Sequence, residues 1–460
     1  MKRSSIIHLY NRIGFGISES DMSEWIAMDQ DAVVDYAFAK AASFNFIDLD
    51  LSKFDELKNA SSRKLMSKDT VRELRREAAK MTRQLNTAWI YQMSTTEAVL
   101  REKMTLFWSN VFVCRNNPIW YSQSYHNMLR EHALGNLRDF LKAMATAPAM
   151  LVYLNNNRNV KSQPNENFAR ELLELFTLGE GNYTESDVKE AARAFTGWST
   201  DKNGAFKNRV FQHDKGEKTF LGKTGNWDGN DIINIILEQK ECARFICAKI
   251  YTYFVNPIID NAHLELMTEL FYEDYDIQQL MELVFKSDWF YDEKNISAKI
   301  KSPVELLIGI MRQVPVTFNK PRQLFYLQKM MGQVLLYPPN VAGWKGDRAW
   351  IDANTLLFRL NLASALLNNA FIEYREDAAF EDSFEDFYKA KKKRKTRLQL
   401  EVKWDEFLTE ISTADRKSLQ QLLLGFKIDP DTQSFIQRLN SSSDKEFVVQ
   451  LMSLPEYQMC

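Results

Sequence analysis

Apolar residues recur at helical spacing through most of this 460-residue chain, and a period near 3.6 residues commits a chain to helices packed on helices. Residues 62–95 give the longest instance. There Leu65, Met66, Leu74, Ala78, Met81, Leu85, Trp89 and Met93 fall near that spacing with no Gly or Pro between them, which predicts one long helix. Residues 97–113, 121–145, 167–178, 185–197, 229–255, 262–286, 301–313, 320–335 and 353–370 repeat the pattern, most of them bounded by Gly, Pro, Asn or Asp. The one strand-like stretch, 205–211, follows Asn203-Gly204, a pair suited to the positive φ of a tight hairpin turn. The predicted fold class is therefore all-α, a large multi-helix array with at most one small β-hairpin. Residues 1–372 are expected to form the main helical domain. An acidic-then-basic stretch, 373–397, reads as a solvated connection, and 398–460 as a small helical tail packed on the main domain.

Composition narrows the function classes. Lys plus Arg (59) nearly cancels Asp plus Glu (61), so the chain lacks the global positive field of a non-specific nucleic-acid binder, and a nucleic-acid partner is not expected. Cys114, Cys242, Cys247 and Cys460 form no CxxC pair and read as free thiols in a reducing compartment. The first twelve residues hold only a short apolar stretch interrupted by His8, which does not read as a signal peptide, and no apolar run reaches membrane-spanning length. A cytoplasmic location without a membrane span is expected.

Three stretches carry a family signature: Pro164 to Gly179 (PNENFARELLELFTLG), Ala191 to Trp198 (AARAFTGW) and Pro338 to Trp344 (PPNVAGW). With Ser302-Pro303-Val304-Glu305-Leu306 and the closing Leu454-Pro455-Glu456-Tyr457-Gln458, they make the chain resemble, from end to end, the bacterial domain-of-unknown-function family 1800. That resemblance implies a helical fold and a bacterial source, and no established reaction comes with it. It also implies, through relatives encoded beside sulfatase-like and alkaline-phosphatase-like proteins, a possible partner protein of that type and joint action on a secreted or surface polymer. Relatives often carry histidines in a Phe-Trp-His-Asn-His-Phe stretch; here it reads Phe107-Trp108-Ser109-Asn110-Val111-Phe112.

Residues Asn167, Arg170, Glu171 and Glu174 fall at i, i+3, i+4 and i+7 on one helix face, and Asp187, Glu190 and Arg193 on a face of the next helix, which Thr184 with Asp187 would cap. Such a pair makes either a buried ion-pair network or an acid/base wall. The loop from His213 to Gly225 adds His213-Asp214, Lys218 and Lys223 among three glycines, but its spacing does not fit a phosphate loop. The segment from Pro338 to Asp352 sets Trp344 and Trp350 among prolines, glycines, Asn340 and Arg348, with Asp352 placed to cap the following helix. Trp198, Trp344 and Trp350 are all expected to be largely buried. Five scattered histidines give no metal signature, so no metal is predicted and any other cofactor is left open.

These residues assemble into one expected site. Glu171, His213 and Asp214 would be catalytic, and Arg170, Lys218, Asn340, Trp344 and Arg348 would bind substrate, with His213 or Asp214 reaching Arg170 or Glu171. Two functions stay open: an enzyme using acid/base side chains in a polar cleft on a glycan- or peptide-like substrate, or a non-catalytic helical scaffold binding a partner enzyme or surface polymer. Charges that are mutually satisfied favour the second, and an unpaired titratable group lining a pocket favours the first.

Overall fold

A computed structural model describes all residues except 60–65, 116–117, 375–393, 413 and 440, with only the backbone described at 371–374 and 394–396. The fold is mainly helical. The long helix predicted near the start spans Lys68–Thr95 and opens at Ser67, whose hydroxyl accepts from the Thr70 N–H at 3.1 Å. It buries Leu85, Trp89, Ile90 and Met93 along one face.

Three of the expected long helices are each divided in two. Residues 121–145 break at Gly135, where Asn136 caps the helix Leu137–Thr146 by accepting from Arg138 N–H at 2.9 Å. Residues 262–286 break at Tyr275, which is left-handed (φ 59°), and Asp276 caps Ile277–Lys286. Residues 229–255 divide into Gly229–Leu237 and Lys240–Phe254. The apolar period survives each break because both halves face the same core, so periodicity alone does not reveal the cap inside it.

The predicted hairpin forms, pairing Trp198–Thr200 with Phe206–Asn208 through a turn in which Gly204 (φ 86°) donates to Asp201 O. Among the described residues there are three further two-stranded pairings: 218–220 with 223–225, 316–318 with 400–402, and 371–374 with 394–397. The last pairs the two ends of the stretch expected to be a solvated connection. Its intervening residues, with most of the acidic and basic runs, lie outside those described.

Two apolar cores share the molecule. One is built mainly from residues between Ile6 and Phe290, such as Leu100, Trp108, Phe140, Leu172, Phe195 and Leu280, and takes in Leu422. The other joins Leu85, Trp89 and Leu106 to Leu307, Leu327 and Leu366, and takes in Leu398, Phe407, Leu423 and Leu451 from the last part of the chain. The helix Val99–Val111 is the wall between them, with eleven of its thirteen residues buried. Arg101, Glu102 and Lys103 are among these, and each is partnered: Arg101 donates to the carbonyls of Ala41 and Arg130, Glu102 binds Arg130, and Lys103 pairs with Glu305. Buried charge is tolerable only on those terms.

Candidate functional site

The helix bearing the longest signature begins as Asn167–Glu171 and widens into a π-helical turn over Leu172–Thr177. The next helix, Glu185–Ala194, starts at the expected capping box, with Thr184 and Asp187 satisfying each other's backbone N–H groups. Between them the charges are mostly spent. Arg170 binds both oxygens of Glu185 at 2.7 and 2.8 Å and reaches Glu166 at 3.1 Å. Glu174 accepts from the Tyr183 hydroxyl at 2.9 Å. Arg193 joins Glu190 at 2.7 Å to Asp214 at 2.8 Å, and this pairing holds the Asp214 carboxyl below its usual range.

The loop that follows is folded onto the end of the second helix. His213 Nδ1 lies 2.9 Å from the Thr196 carbonyl, and Asp214 N–H donates to the Thr196 hydroxyl at 2.8 Å. Lys218 is buried, donates to the carbonyls of Asp214 and Gly216 at 2.7 and 2.9 Å, and has its pKa lowered chiefly by burial. Neither His213 nor Asp214 hydrogen-bonds to Arg170 or Glu171; Arg193 takes the place expected for Arg170. What reads as a ligand loop contains a hairpin tied back to Asp187, which accepts from Leu221 N–H at 2.8 Å. Asn340 and Arg348 are exposed, and Asn340 Oδ1 accepts from its neighbour Ala342 N–H. Trp198 and Trp350 are buried as expected, whereas Trp344 is only half-buried.

Glu171 differs from its neighbours. Its carboxylate is half-buried and has no hydrogen bond among the described residues, and burial, with Glu174 adding repulsion against the opposing pull of Arg170, raises its pKa. Glu171 and Cys114 both act electrostatically on Tyr153.

Cys114 lines a narrow cavity, about 30 Å³, together with Trp89, Ser109, Ser122, Tyr125, His126, Leu129, Pro338 and Trp344. Its floor is fixed by a buried relay. Glu102 accepts from Arg130 Nε and Nη2 at 2.5 and 3.1 Å and from Trp89 Nε1 at 2.8 Å. Arg130 then meets His126 Nδ1 at 3.1 Å. A guanidinium can only donate, so Nδ1 must accept and the ring proton sits on Nε2. That Nε2–H is buried and has no partner. Burial and the Arg130 charge push the His126 pKa well below the ordinary histidine range, leaving a neutral imidazole. The roof is the PPNVAGW loop. Arg115 clamps it by donating to the Pro338 and Pro339 carbonyls, and Asn110 exchanges hydrogen bonds with the Trp344 backbone at 2.8 and 3.1 Å. Gly343 (φ 76°) is required there, because a Cβ would strike Asn110.

A family model described as a protein of unknown function, DUF1800, matches residues 8–459 and so spans both cores, the charged helix pair and the cavity. The chain belongs to the DUF1800 family. No curated protein and no solved structure matches it. In the Phe107–Phe112 stretch this chain places Ser109 in the cavity wall, and Asn110 beside it holds the roof. Trp344 is the one member of the expected site that lines the cavity. His126, Trp89, Ser109, Cys114 and Ser122 were not singled out by sequence reasoning. The usable signal was His126 and Arg130 four apart on a helix with Tyr125 and Leu129 beside them, a polar pair set within an apolar face. Among the described residues no group of three His, Cys, Asp or Glu side chains is placed to hold a metal ion, and no helix is long and apolar enough to cross a membrane.

Proposed function

We propose that this DUF1800 chain is an enzyme using acid/base side chains on a polar, glycan- or peptide-like substrate, with Glu171 as the proton-donating group and the His126 cavity as the corner that recognises one substituent. The observation that carries this reading is the half-buried Glu171 carboxylate, which has no hydrogen-bond partner among the described residues and whose pKa burial raises; His126, with its neutral ring, lines the cavity together with the indoles of Trp89 and Trp344. The cavity admits a single small group such as a hydroxyl or carbonyl, while the half-buried Trp344 offers an aromatic surface of the kind that stacks on sugar or peptide units. A carboxyl group with a raised pKa is suited to give a proton to a leaving oxygen or nitrogen.

The test is a thermal-shift and turnover screen against sugars and short peptides, repeated on two variants. His126→Phe should abolish the ligand-induced shift, because ligands that bind the native state raise its apparent stability. Glu171→Gln should keep the shift and lose turnover. A shift that survives His126→Phe, or turnover that survives Glu171→Gln, rejects the assignment.

A second reading rests on the satisfied pairs Arg170–Glu185 and Glu190–Arg193–Asp214. On it this face is a scaffold surface for a sulfatase- or alkaline-phosphatase-like partner. Under either reading residues 1–372 act as the main domain carrying the 398–460 tail, and the location is cytoplasmic.

A further inference from the structure

Residues 207–211 read Lys-Asn-Arg-Val-Phe, a stretch that the proposed site leaves unused. The strand Phe206–Asn208 leads there into a short 3₁₀ turn, Val210–Gln212, whose backbone is fixed: Arg209 N–H donates to the Gly197 carbonyl and Gln212 N–H to the Arg209 carbonyl, both at 2.8 Å. Gly197 (φ 83°) lets the chain pass this closely, since a Cβ on it would lie 2.8 Å from the Arg209 carbonyl oxygen. The turn is thus held in place, yet its apolar side chains stay in water. Val210 is 57 % exposed and Phe211 72 %, and among the described large apolar side chains only Ile258 is more exposed than Phe211. Adjacent apolar side chains left uncovered on a fixed backbone mark an interaction surface.

Cations accompany them. Arg158 and Lys161 stand on the turn 157–163, which is tied to this stretch by Lys161 N–H donating to the Gln212 carbonyl at 2.9 Å and by the Ser199 hydroxyl donating to the Asn157 carbonyl at 3.2 Å. Lys207 is paired with Ser199 in the strand register, so it stands on the hairpin face that this turn adjoins. Lys215 follows three residues after Gln212. All four cations are exposed, and none of their side chains makes a hydrogen bond or ion pair with a described residue. The acids of residues 199–215 are engaged: Asp201 accepts from Asn203 and Ala205 N–H at 2.8 and 3.0 Å, and Asp214 is held by Arg193. The nearest exposed acid along the chain is Glu217. In a molecule whose acidic and basic residues nearly cancel, this is a local excess of positive charge beside uncovered apolar surface.

We propose that this face binds the surface of an anionic lipid bilayer, with Val210 and Phe211 entering the boundary between headgroups and acyl chains and Arg158, Lys161, Lys207 and Lys215 meeting the lipid phosphates. A hydrated polyanion would answer the charge and leave the two apolar side chains in water, and a neutral apolar surface would strand the cations. An anionic interface takes both. The four cations are spread over two segments of chain, which suits a fluid sheet of phosphates better than a single bound anion. The contact is peripheral and needs no spanning helix. It sets the adjoining His213–Asp214 and the charged helix pair near the lipid, and it does not depend on the roles given to Glu171 and His126.

The experiment is cosedimentation of the full chain with phosphatidylcholine vesicles, pure or containing about one-third phosphatidylglycerol. The wild type should sediment with the anionic vesicles alone and be released as salt is raised, because screening weakens the attraction. Phe211→Ser should lower the partition coefficient about tenfold, and Lys161→Gln combined with Lys207→Gln about thirtyfold. All three side chains are exposed, so circular dichroism should show the fold unchanged in both variants. The proposal is overturned if the wild type ignores anionic vesicles, if it binds neutral ones equally, or if either variant binds as the wild type does. A single-stranded oligonucleotide or polyglutamate bound as tightly as the anionic vesicles also overturns it, and assigns the patch to a soluble polyanion.

Discussion

Arg130 and Arg170 are each held by two oxygens of a glutamate, Glu102 in one case and Glu185 in the other, and burial separates their worth. The Arg130–Glu102 pair is 0 % and 1 % exposed, and the Arg170–Glu185 pair 34 % and 68 %. Removing one partner of a buried pair strands the other charge, so Glu102→Gln should cost about 3–5 kcal/mol in urea unfolding. Arg170→Ala should cost about 1 kcal/mol or less, because solvent screens the exposed pair. Reversal of that order would show that Arg130 finds another partner. Single residues were the least legible part of the sequence. The Thr184–Asp187 and Asp352 caps could be read because a cap is local, its donor and acceptor lying within three residues. His126 was legible only as half of the i, i+4 pair with Arg130, since what makes it notable is set by Glu102, Trp89 and Trp344, which are far from it in the chain. Trp344 shows the same limit. Its loop is anchored as glycine and proline neighbours imply, but through its backbone and Asn110, which leaves the indole half open.

At the scale of elements, the helix Gly229–Leu237 is held against the signature hairpin at its first residue. A Cβ added at Gly229 would lie 2.5 Å from both Phe195 and Trp198, two rings already edge to face at 5.1 Å. Alanine is intrinsically the better helix former by about 1 kcal/mol. Overpacking of this kind costs about 1–3 kcal/mol, so Gly229→Ala should lower thermal stability despite the propensity gain. A rise in Tm would mean the two rings can separate without loss. Helix positions were legible along the chain because the apolar period is strong, whereas the breaks at Gly135 and Tyr275 and the widened turn at Leu172–Thr177 were not. A π-helical turn adds a residue without altering which side is apolar for long, so period counting passes over it. The small strand pairings 316–318 with 400–402 join distant segments and leave no local sign at all.

For the molecule as a whole, acid sensitivity follows from two histidines buried in neutral form. His8 titrates at about 3 and His126 well below the ordinary range, both chiefly through burial, while in the unfolded chain each takes up a proton near pH 6.5. Their folded pKa values are depressed, so between these limits the unfolded state binds more protons, and stability must fall as pH drops from about 6.5 toward 3. His8 contributes about 1.4 kcal/mol per pH unit over that window, and His126 acts in the same direction. His8→Gln should therefore flatten the urea-unfolding slope against pH by about that amount between pH 4 and 6, and an unchanged slope would mean that His8 protonates in the native state. The helix Val99–Val111 carries a different consequence, one of timing. Its Lys103 is buried against Glu305, which belongs to the far side of the second core. A ribosome adding about 5–20 residues per second delivers that glutamate some 10–40 s after the lysine. Until then the ammonium group must stay hydrated, so the seam between the cores is kept wet and open, and the first half of the chain waits for the second before the wall can dry.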